Sequence, residues 1–273
     1  MKGYVYYSLT ESVRNYAFIE DLIEKAEHIG IELRLIVDND QPSADADFIL
    51  FRDRNPEKAA LFERLGFRVF NRSEVNRIAN DKLQSFELAA LLGVPSVPTK
   101  KLNSAEDVKS YPAVLKTADG HGGDEVYLST SMKETESFIT RFKNRNLIAQ
   151  PYIESNATDV RVFVIGKEVV GAVKRTGNDS FKSNYTLGGS VEKYVLSSWQ
   201  EKEVVRIARA LKSDYIGIDF LILPDGRWIL NEIEDPVGAR SLYTTYDFSI
   251  AEKLMGYIKE QTTNYFTVVK SVI

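Results

Sequence analysis

Short apolar runs alternate with stretches of helical spacing through the first part of the chain. The runs predict strands, and apolar residues three or four positions apart predict helices. In chain order these are a strand at Tyr4–Leu9, a helix at Glu11–Ile29, strands at Glu32–Val37 and Phe48–Phe51, a helix at Pro56–Leu65 and a strand at Arg68–Phe70. Strands that alternate with helices predict a parallel sheet with helices packed on it. A further helix at Asn80–Leu92 is ended by Gly93, and we place the first domain boundary near it.

The pattern changes after residue 99, where strands are separated by short loops. A small α+β lid is predicted first, with strands at Ala113–Ala118, Glu125–Leu128 and Leu147–Ile153, a glycine-rich loop at Asp119–Asp124 and a helix at Met132–Phe142. Two hairpins follow, Asp159–Ile165 with Glu168–Arg175 and Ile216–Leu223 with Arg227–Glu234, and a helix at about Trp199–Leu211 lies between them. We therefore expect an N-terminal α/β domain at residues 1–80, a central region with the lid at 81–150 and a C-terminal domain at 151–273.

The second hairpin gathers three carboxylates. If Asp225-Gly226 forms a two-residue turn, Asp219 lies directly opposite Glu232. Glu234 then shares the face of Glu232, and its partner Gly217 leaves space above the sheet. The same register pairs Leu221 with Leu230 and Leu223 with Trp228.

Converging carboxylates in an apolar hairpin need a compensating charge. Magnesium suits an all-oxygen site that also receives substrate phosphates. Two alternatives stay open, an exposed hairpin with solvated acids and acids paired with nearby arginine or lysine. A register slip of one residue would move the acids to opposite faces.

Basic residues and a glycine loop supply candidate phosphate ligands. Lys116 lies within the apolar strand AVLKTA, where it either meets a charged partner or extends to the surface. Lys82 begins a helix, where surface exposure is the simpler interpretation. The loop ADGHGGDE can bring backbone N–H groups to a phosphate, although it lacks the P-loop pattern, and a solvated side chain is the simpler interpretation of its His121.

The first hairpin adds further polar groups. A Gly166-Lys167 turn would place Asp159 opposite Lys174, with Arg161 on that face and Arg175 on the other. An ion pair between Asp159 and Lys174 is the structural alternative to a direct role. Arg161, Arg175 and Asn184 are suited to bind a phosphoryl or carboxylate group.

Composition excludes several functions. The 273 residues include 35 Lys and Arg against 39 Asp and Glu, a net charge of −4 that argues against a general nucleic-acid or membrane-surface binder. No cysteine is present, which excludes disulfides, thiolate catalysis and cysteine-bound zinc. The first residues, MKGYVYYSLTESVRNY, lack the long apolar stretch of a secretory signal, and no run of about 18 apolar residues predicts a membrane span. We expect a soluble cytoplasmic protein.

Six segments in a fixed order carry a resemblance to a known family. They are NDKLQSFELAALLGVPSVPT, YPAVLKTADGHGG, LIAQPYIE, TDVRVFVIGKEVVGAVKR, FKSNYTLGG and GIDFLILPDGRWILNEIE, which together span about residues 80–235. The set resembles the ATP-grasp superfamily, and within it the RimK-like branch. The resemblance implies an N-terminal Rossmann-like α/β domain, an α+β lid and a C-terminal mixed-sheet domain.

The resemblance also implies a role for each matching residue. Lys82 and Lys116 would contact the phosphates of ATP, Gln150, Tyr152 and Ile153 the adenine, and Glu154 the ribose. Lys174 and Asn184 would complete the nucleotide-binding set, with Asn184 near the metal and phosphates. Arg161 and Arg175 would be catalytic and face the phosphates or the acceptor. Asp219, Glu232 and Glu234 would hold Mg²⁺, with Mn²⁺ as an alternative ion.

Three departures from the family pattern bear on the substrate. Glu234 stands where RimK-like enzymes usually have asparagine, and Lys182 where they usually have arginine. The turn after the metal strand reads Asp235-Pro236-Val237-Gly238-Ala239-Arg240 instead of a small residue and Pro-Gly. The family's named substrate is therefore not carried over.

The expected function is ATP- and Mg²⁺-dependent ligation of a carboxylate to an amine through an acyl phosphate, adding an amino acid to a small molecule or peptide. The alternatives are a nucleotide-binding module without ligase activity and an ATP-dependent phosphotransferase. A Rossmann-like dehydrogenase is disfavoured because SLTESV, and not G-x-G-x-x-G, follows the first strand. The oligomeric state stays open, since the apolar tail Tyr265–Ile273 can pack on its own domain or on a second subunit.

Overall fold

The N-terminal part forms a parallel sheet covered by helices, as predicted. The computed structural model describes residues 1–121, 123, 125–155, 157–177 and 190–272, with side chains through Tyr265. The elements are β1 (Lys2–Tyr7), α1 (Leu9–Arg14), α2 (Tyr16–His28), β2 (Glu32–Val37), β3 (Phe48–Phe51), α3 (Pro56–Arg64), β4 (Val69–Phe70), α4 (Ser73–Ala79) and α5 (Lys82–Leu92). The strand order is β2-β1-β3-β4, and every pair is parallel.

Local capping explains where two of these helices, α3 and α5, begin. Asn55 accepts a hydrogen bond from the backbone N–H of Lys58, and Pro56 occupies the first helical position of α3. Asp81 caps α5 in the same way. The helix predicted at Glu11–Ile29 is in fact two helices, since the backbone leaves helical geometry at Asn15.

The lid is a separate antiparallel sheet with its own small core. Its elements are β5 (Lys100–Lys101), β6 (Ala113–Thr117), β7 (Val126–Ser129), α6 (Met132–Arg141) and β8 (Leu147–Pro151), with strand order β5-β8-β6-β7. Leu102, Leu115, Phe138 and Leu147 are buried together beneath this sheet. The predicted α+β character of this region is confirmed.

The C-terminal part forms a five-stranded sheet. Its elements are β9 (Thr158–Ile165), β10 (Glu168–Thr176), β11 (Ser190–Lys193), α7 (Ser198–Leu211), β12 (Tyr215–Ile222), β13 (Trp228–Glu234), α8 (Arg240–Thr245) and α9 (Ile250–Val272). The order is β11-β10-β9-β12-β13, and the paired strands are antiparallel. A single parallel bridge, Ser96 to Leu230, joins the end of the α5 region to this sheet.

One hydrophobic core joins the first and last parts of the chain. Val5 and Leu22 from the N-terminal part pack in the same cluster as Phe163, Leu254 and Ile258. The N-terminal sheet is thus fixed against the C-terminal sheet, whereas the lid packs around a core of its own. Division of the chain at residues 80 and 150 stays a prediction.

The carboxylate hairpin has the predicted pairing at its base and a different one at its tip. Asp219 pairs with Glu232 and Gly217 with Glu234. Beyond Asp219 the register shifts by one residue, so that Leu221 pairs with Ile229 instead of Leu230. The predicted pairs Leu221–Leu230 and Leu223–Trp228 are therefore wrong.

Two irregularities cancel in this hairpin. Leu223 N–H bonds to the carbonyl of Arg227, so the loop contains three residues with Gly226 at φ +82° instead of a two-residue turn. Asn231 is the extra residue of a bulge that restores the register towards the base. The predicted space above Gly217 is filled, since a Cβ there would lie 2.5 Å from Val237.

The first hairpin also contains a bulge, at Val170, that changes which residues share a face. Arg175 pairs with Asp159, and Lys174 pairs with Val160. The predictions that Lys174 lies opposite Asp159 and that Arg175 projects to the other face are wrong, because the two-residue turn was combined with an unbroken ladder.

The helices in the described part of the chain differ in length and in polarity. No helix there combines the length and apolar character needed to cross a bilayer.

Candidate active site

A cleft lies between the lid sheet and the C-terminal sheet. Strands β6 and β8 form one wall, and β12 and β13 form the other, so that side chains from all four strands face the same space. The charged and polar lining residues include Lys82, Lys116, His121, Gln150, Asp159, Arg175, Asp219, Asn231, Glu232 and Glu234. The apolar lining is Val97, Val114, Val126, Ile153 and Leu221. The cleft therefore combines an apolar slot with a strongly charged end.

Asp219 is held by two arginines at the charged end. Arg161 donates two hydrogen bonds to it, from Nε at 2.8 Å and Nη2 at 2.7 Å. Arg175 donates a third from Nη2 at 2.7 Å and binds Asp159 through two contacts of 2.6 Å. Arg161 also pairs with Glu234. Both arginines, Asp159 and Asp219 are buried.

The three predicted metal ligands converge as expected. One carboxylate oxygen from each of Asp219, Glu232 and Glu234 lies within 4.8 Å of the others. Their charges are also balanced by protein cations, since Lys82 lies 3.2 Å from Glu232 and the arginines hold the other two. The acids therefore pair with arginine and lysine, which was one of the alternatives to a metal site that the sequence left open. Convergence of hard oxygen donors fits Mg²⁺, but charge balance alone does not demand an ion, and the metal assignment stays a proposal.

Asp219 and Glu234 have pKa values that shift in opposite directions. Burial opposes ionisation of Asp219, but Arg161 and Arg175 outweigh it and hold the pKa of this carboxyl below its usual value. Burial raises the pKa of Glu234, and the neighbouring carboxylates Asp219 and Glu232 act in the same direction, although Arg161 opposes them. A cation that enters between these groups would favour the ionised form of Glu234.

Lys82 and Lys116 both point into the cleft. Lys82 is buried at the start of α5, where its ammonium contacts Glu232 and the carbonyl of Gly120. Surface exposure, the simpler interpretation from sequence, is therefore wrong for Lys82. Lys116 is also buried, and its ammonium lies 3.5 Å from Asn231 Oδ1. Burial lowers the pKa of Lys116 to about 8.

Replacement of Lys116 by methionine is expected to stabilise the nucleotide-free protein at pH 7. The pKa of Lys116 is about 8 in the folded chain, against 10.5 for an ordinary lysine such as that of the unfolded chain. The folded state therefore holds the charged form at a cost on the order of 3 kcal/mol. Since the unfolded chain binds more protons between these values, the wild-type free energy of unfolding should rise relative to the variant from pH 8 to 10.5. Urea unfolding at pH 7 and pH 10 measures this difference.

Lys174→Met is the matched control for that experiment. Lys174 is only partly buried and pairs with Glu192 at 2.8 Å, so its removal should change the free energy of unfolding by less than about 1 kcal/mol at either pH. An equal difference between wild type and Lys116→Met at both pH values would contradict the prediction.

The strand leading out of the lid supplies one side of the apolar slot. Gln150 is buried and donates to Thr99 Oγ1 at 2.8 Å, so its side chain fixes the strand. Tyr152 and Ile153 line the cleft directly. Glu154 is exposed beside the cleft, where its carboxylate accepts a hydrogen bond from the Tyr152 hydroxyl at 3.5 Å.

Two further predicted ligands stand apart from this cluster. Lys174 is on the face opposite Arg175 and forms its ion pair with Glu192 on β11. Its assignment to the nucleotide site is therefore not supported, because the bulge in β10 turns it away. Asn184 lies outside the described residues.

Several residues of the site were not singled out from sequence. Asn231 enters the cleft because it is the bulged residue of β13. Arg145 binds Asp119 at 2.8 Å and Glu125 at 3.2 Å, and so holds both ends of the glycine loop. No pattern marks a bulge or a contact between distant loops, although the acids that flank the glycine run were a signal for a basic partner.

A second cavity opens from the charged end of the cleft. Its volume is about 850 Å³, and it lies between the N-terminal sheet, α2 and the α8 region. His121, Arg175 and Glu234 line both spaces, so they form the junction. Burial lowers the pKa of His121, which favours the neutral imidazole there.

The cleft and its lining residues agree with a family comparison. A model of the RimK-like ATP-grasp domain matches residues 79–258, which contain all three carboxylates and both cleft lysines. The chain belongs to the RimK-like ATP-grasp family. The prediction of the family is thus confirmed, and this ATP-grasp protein is an ATP-dependent carboxylate-amine ligase.

Individual relatives and structures are consistent with this. An uncharacterized protein, MG011, of Mycoplasma genitalium is 27% identical over 87% of this chain and 85% of its own length. A probable alpha-L-glutamate ligase of Legionella pneumophila is 31% identical over 73% of this chain and 69% of its own length. The crystal structure of the D-cycloserine synthetase DcsG superposes with a TM-score of 0.78 at 17% identity, covering 96% of this chain and all of that one, which supports the ATP-grasp fold.

Proposed function

We propose that this ATP-grasp ligase joins an amino acid, through its amine, to the carboxyl group of a small molecule or peptide by way of an acyl phosphate. The observation that carries the proposal is the junction of two spaces at His121, Arg175 and Glu234. A nucleotide in the cleft would present its terminal phosphate there, and the second cavity offers room for the other substrates. The Legionella relative, named a glutamate ligase, makes L-glutamate the first amino acid to test.

The cleft provides the contacts that ATP requires. The slot formed by Val97, Val114, Ile153 and Leu221 fits the apolar face of adenine. Lys116 and Lys82 line the same cleft, and Lys82 contacts Glu232, so their ammonium groups would neutralise phosphate oxygens. The family uses ATP and Mg²⁺, and Asp219, Glu232 and Glu234 would hold the ion, which supplies charge neutralisation on the phosphates.

The ligation needs positioning more than a protein nucleophile. A carboxylate oxygen of the acid substrate attacks the γ-phosphorus, and the bond to the bridging oxygen of ADP breaks. The amine then attacks the acyl carbon, and inorganic phosphate leaves. Arg175 lines both the cleft and the second cavity, so its guanidinium would offset negative charge in both steps. Arg161 holds Asp219 and Glu234 in place and acts as a positioning residue.

The glycine loop of the lid would shield the acyl phosphate from water. Arg145 binds both Asp119 and Glu125, so the two ends of the loop are held together. Gly120 must lack a side chain, since a Cβ there would lie 2.2 Å from Thr117 Oγ1. The backbone can therefore approach the lid strand closely.

An ADP-release screen tests the proposal. Pairs of an amino acid, beginning with L-glutamate, and a carboxylic acid or peptide are incubated with ATP and Mg²⁺, and the product is analysed by mass spectrometry. An amide with the mass of both substrates minus water is the expected product. A stable phosphorylated product would favour a phosphotransferase, and ATP binding without ADP formation over the whole panel would favour a nucleotide-binding module.

A further inference from the structure

Arg52 is a buried cation on the wall of the second cavity. It follows β3 directly, is 4% exposed and faces the cavity together with Tyr7 and Phe18. It lies in a part of the chain that the family match does not cover, since the match begins at residue 79. Its role is therefore not assigned by the family comparison.

The charge of Arg52 has only neutral partners. Its Nε donates to the Tyr7 hydroxyl at 3.3 Å, and its Nη2 donates to the carbonyl of Val237 at 2.6 Å. The rings of Phe18 and Tyr215 lie 5.4 and 5.3 Å from its guanidinium carbon. Among the described residues, no carboxylate lies within ion-pair distance of it, in contrast to Arg161 and Arg175. The carboxylate of Asp235 attracts Arg52 only from beyond contact distance. A buried charge without a counterion in contact is costly, so a ligand that brings a negative charge would be favoured.

Hydrogen-bond donors remain available around this guanidinium. Nη1 of Arg52 has no acceptor among the described residues. The Tyr7 hydroxyl accepts from Arg52, which leaves its own proton to be donated, and Tyr7 also lines the cavity. The Tyr215 hydroxyl is buried and has no hydrogen-bond partner within the described part of the chain.

We propose that Arg52 and Tyr7 bind a carboxylate of the substrate that is not the carboxyl group activated by ATP. This inference rests on the proposed ligase function and narrows its substrate to molecules with a second anionic group, such as a dicarboxylate or an amino acid with a free carboxylate. Two donors suit the two oxygens of a carboxylate better than the oxygens of a phosphate, which need more donors.

The geometry of the cavity is consistent with a substrate that spans it. Arg52 and the junction residues Arg175 and Glu234 line one continuous space of about 850 Å³. A volume of this size accommodates a small molecule with two separated functional groups. One group would reach the junction while the other is fixed at Arg52.

Binding of simple carboxylates to the nucleotide-free protein tests the proposal without requiring catalysis. The probes are glutarate, L-glutamate, the neutral glutaramide and inorganic phosphate, each measured by isothermal titration calorimetry. Wild type is expected to bind glutarate or L-glutamate. Arg52→Met should weaken that binding at least 30-fold, and Tyr7→Phe, which keeps the ring and removes only the hydroxyl, should weaken it about 3-fold to 10-fold.

Lys25→Met is the matched control. Lys25 lines the same cavity but already lies 2.6 Å from Glu24, so its loss should change carboxylate binding less than 2-fold. Thermal unfolding establishes that each variant is folded. If Arg52→Met does not fold, Tyr7→Phe still tests the proposal. Equal binding of glutarate by wild type and the folded Arg52 or Tyr7 variant would overturn the proposal, as would equal binding of glutaramide and glutarate, or the absence of binding to either carboxylate.

Steady-state kinetics separates this inference from the proposed function. With a substrate pair from the ADP-release screen, Arg52→Met should raise KM for the carboxylate-bearing substrate at least 30-fold and leave KM for ATP within 3-fold. Turnover with an unchanged KM would overturn the Arg52 site and leave the ligase proposal intact. Arg52-dependent glutarate binding with no turnover over the whole panel would support the site and reject the proposed substrates.

Discussion

Replacement of Glu232 by glutamine is expected to lower substrate-dependent ADP release by roughly two to three orders of magnitude. Glu232 contributes one of the three converging carboxylates, so it is itself a proposed metal ligand. It also contacts Lys82 at 3.2 Å and so holds a proposed phosphate ligand in position. Its side chain is 27% exposed, and the free energy of unfolding should therefore change by only about 1 kcal/mol. Initial rates of ADP release and urea unfolding measure the two quantities.

Binding of Mn²⁺ shows whether the loss at Glu232 involves the ion. Free Mn²⁺ is followed by electron paramagnetic resonance in the presence of a non-hydrolysable ATP analogue, and Glu232→Gln should bind the ion at least tenfold more weakly than wild type. Glu192→Gln is the control, because Glu192 is an exposed acid that pairs with Lys174 away from the cleft. Unchanged turnover in Glu232→Gln would reject the assignment.

Asp219→Asn is expected to destabilise the protein by about 3–5 kcal/mol and to abolish detectable ADP release. Asp219 is buried and accepts three hydrogen bonds from Arg161 and Arg175. The amide removes the negative charge and turns an N–H₂ group towards a guanidinium donor, so two buried cations lose a shared counterion. Urea unfolding at pH 7 measures the loss of stability.

The destabilisation should depend on pH in a defined direction. The pKa of Asp219 is lower in the folded chain than the ordinary value, so the carboxylate stabilises the fold above about pH 3.9 and loses this effect as the pH falls through the folded value. The difference between wild type and Asp219→Asn should thus shrink in acid. Asp225→Asn, in the exposed loop of the same hairpin, should leave the free energy of unfolding nearly unchanged at every pH. A similar cost for both variants would contradict the role of the buried cluster.

The sequence predicted the position of the carboxylates better than it predicted the hairpin that bears them. The pairing of Asp219 with Glu232 was inferred from a two-residue turn, but the loop has three residues, and the bulge at Asn231 compensates for the extra one. A Pro-Asp-Gly sequence permits either loop length, and no local signal marks a bulge in an apolar strand. The correct pairing therefore depended on two errors that cancel.

The first hairpin shows the opposite outcome. Its two-residue turn at Gly166-Lys167 was predicted correctly, but the bulge at Val170 is uncompensated and brings Arg175 to the face of Asp159. The resemblance assigned Arg175 to the site nonetheless, because a family motif records the position of a residue without its strand register. The resemblance also assigned Lys174 to the nucleotide site, but the same bulge turns its side chain away from the cleft and towards Glu192.

Long-range contacts account for most of what the sequence did not predict. The strands Glu32–Val37 and Phe48–Phe51 match their predicted bounds because apolar residues predominate in each short run. Burial of Lys82 depends instead on a lid loop and a distant strand. Arg52 likewise bonds to Val237, 185 positions away. Periodicity reports which face of an element is apolar, and it does not report what packs on that face.

Because of helix α9, exchange of the N-terminal segment between related ligases requires two separate segments to be moved together. The shared core places Leu254 and Ile258 of this last helix against Leu22 of the first part of the chain. A chimaera cut only near residue 80 would leave these apolar faces against a foreign partner, with an expected loss of solubility. Recombination should therefore transfer residues 250–272 together with the N-terminal segment, whereas the lid, with its own core, can be replaced as one insert.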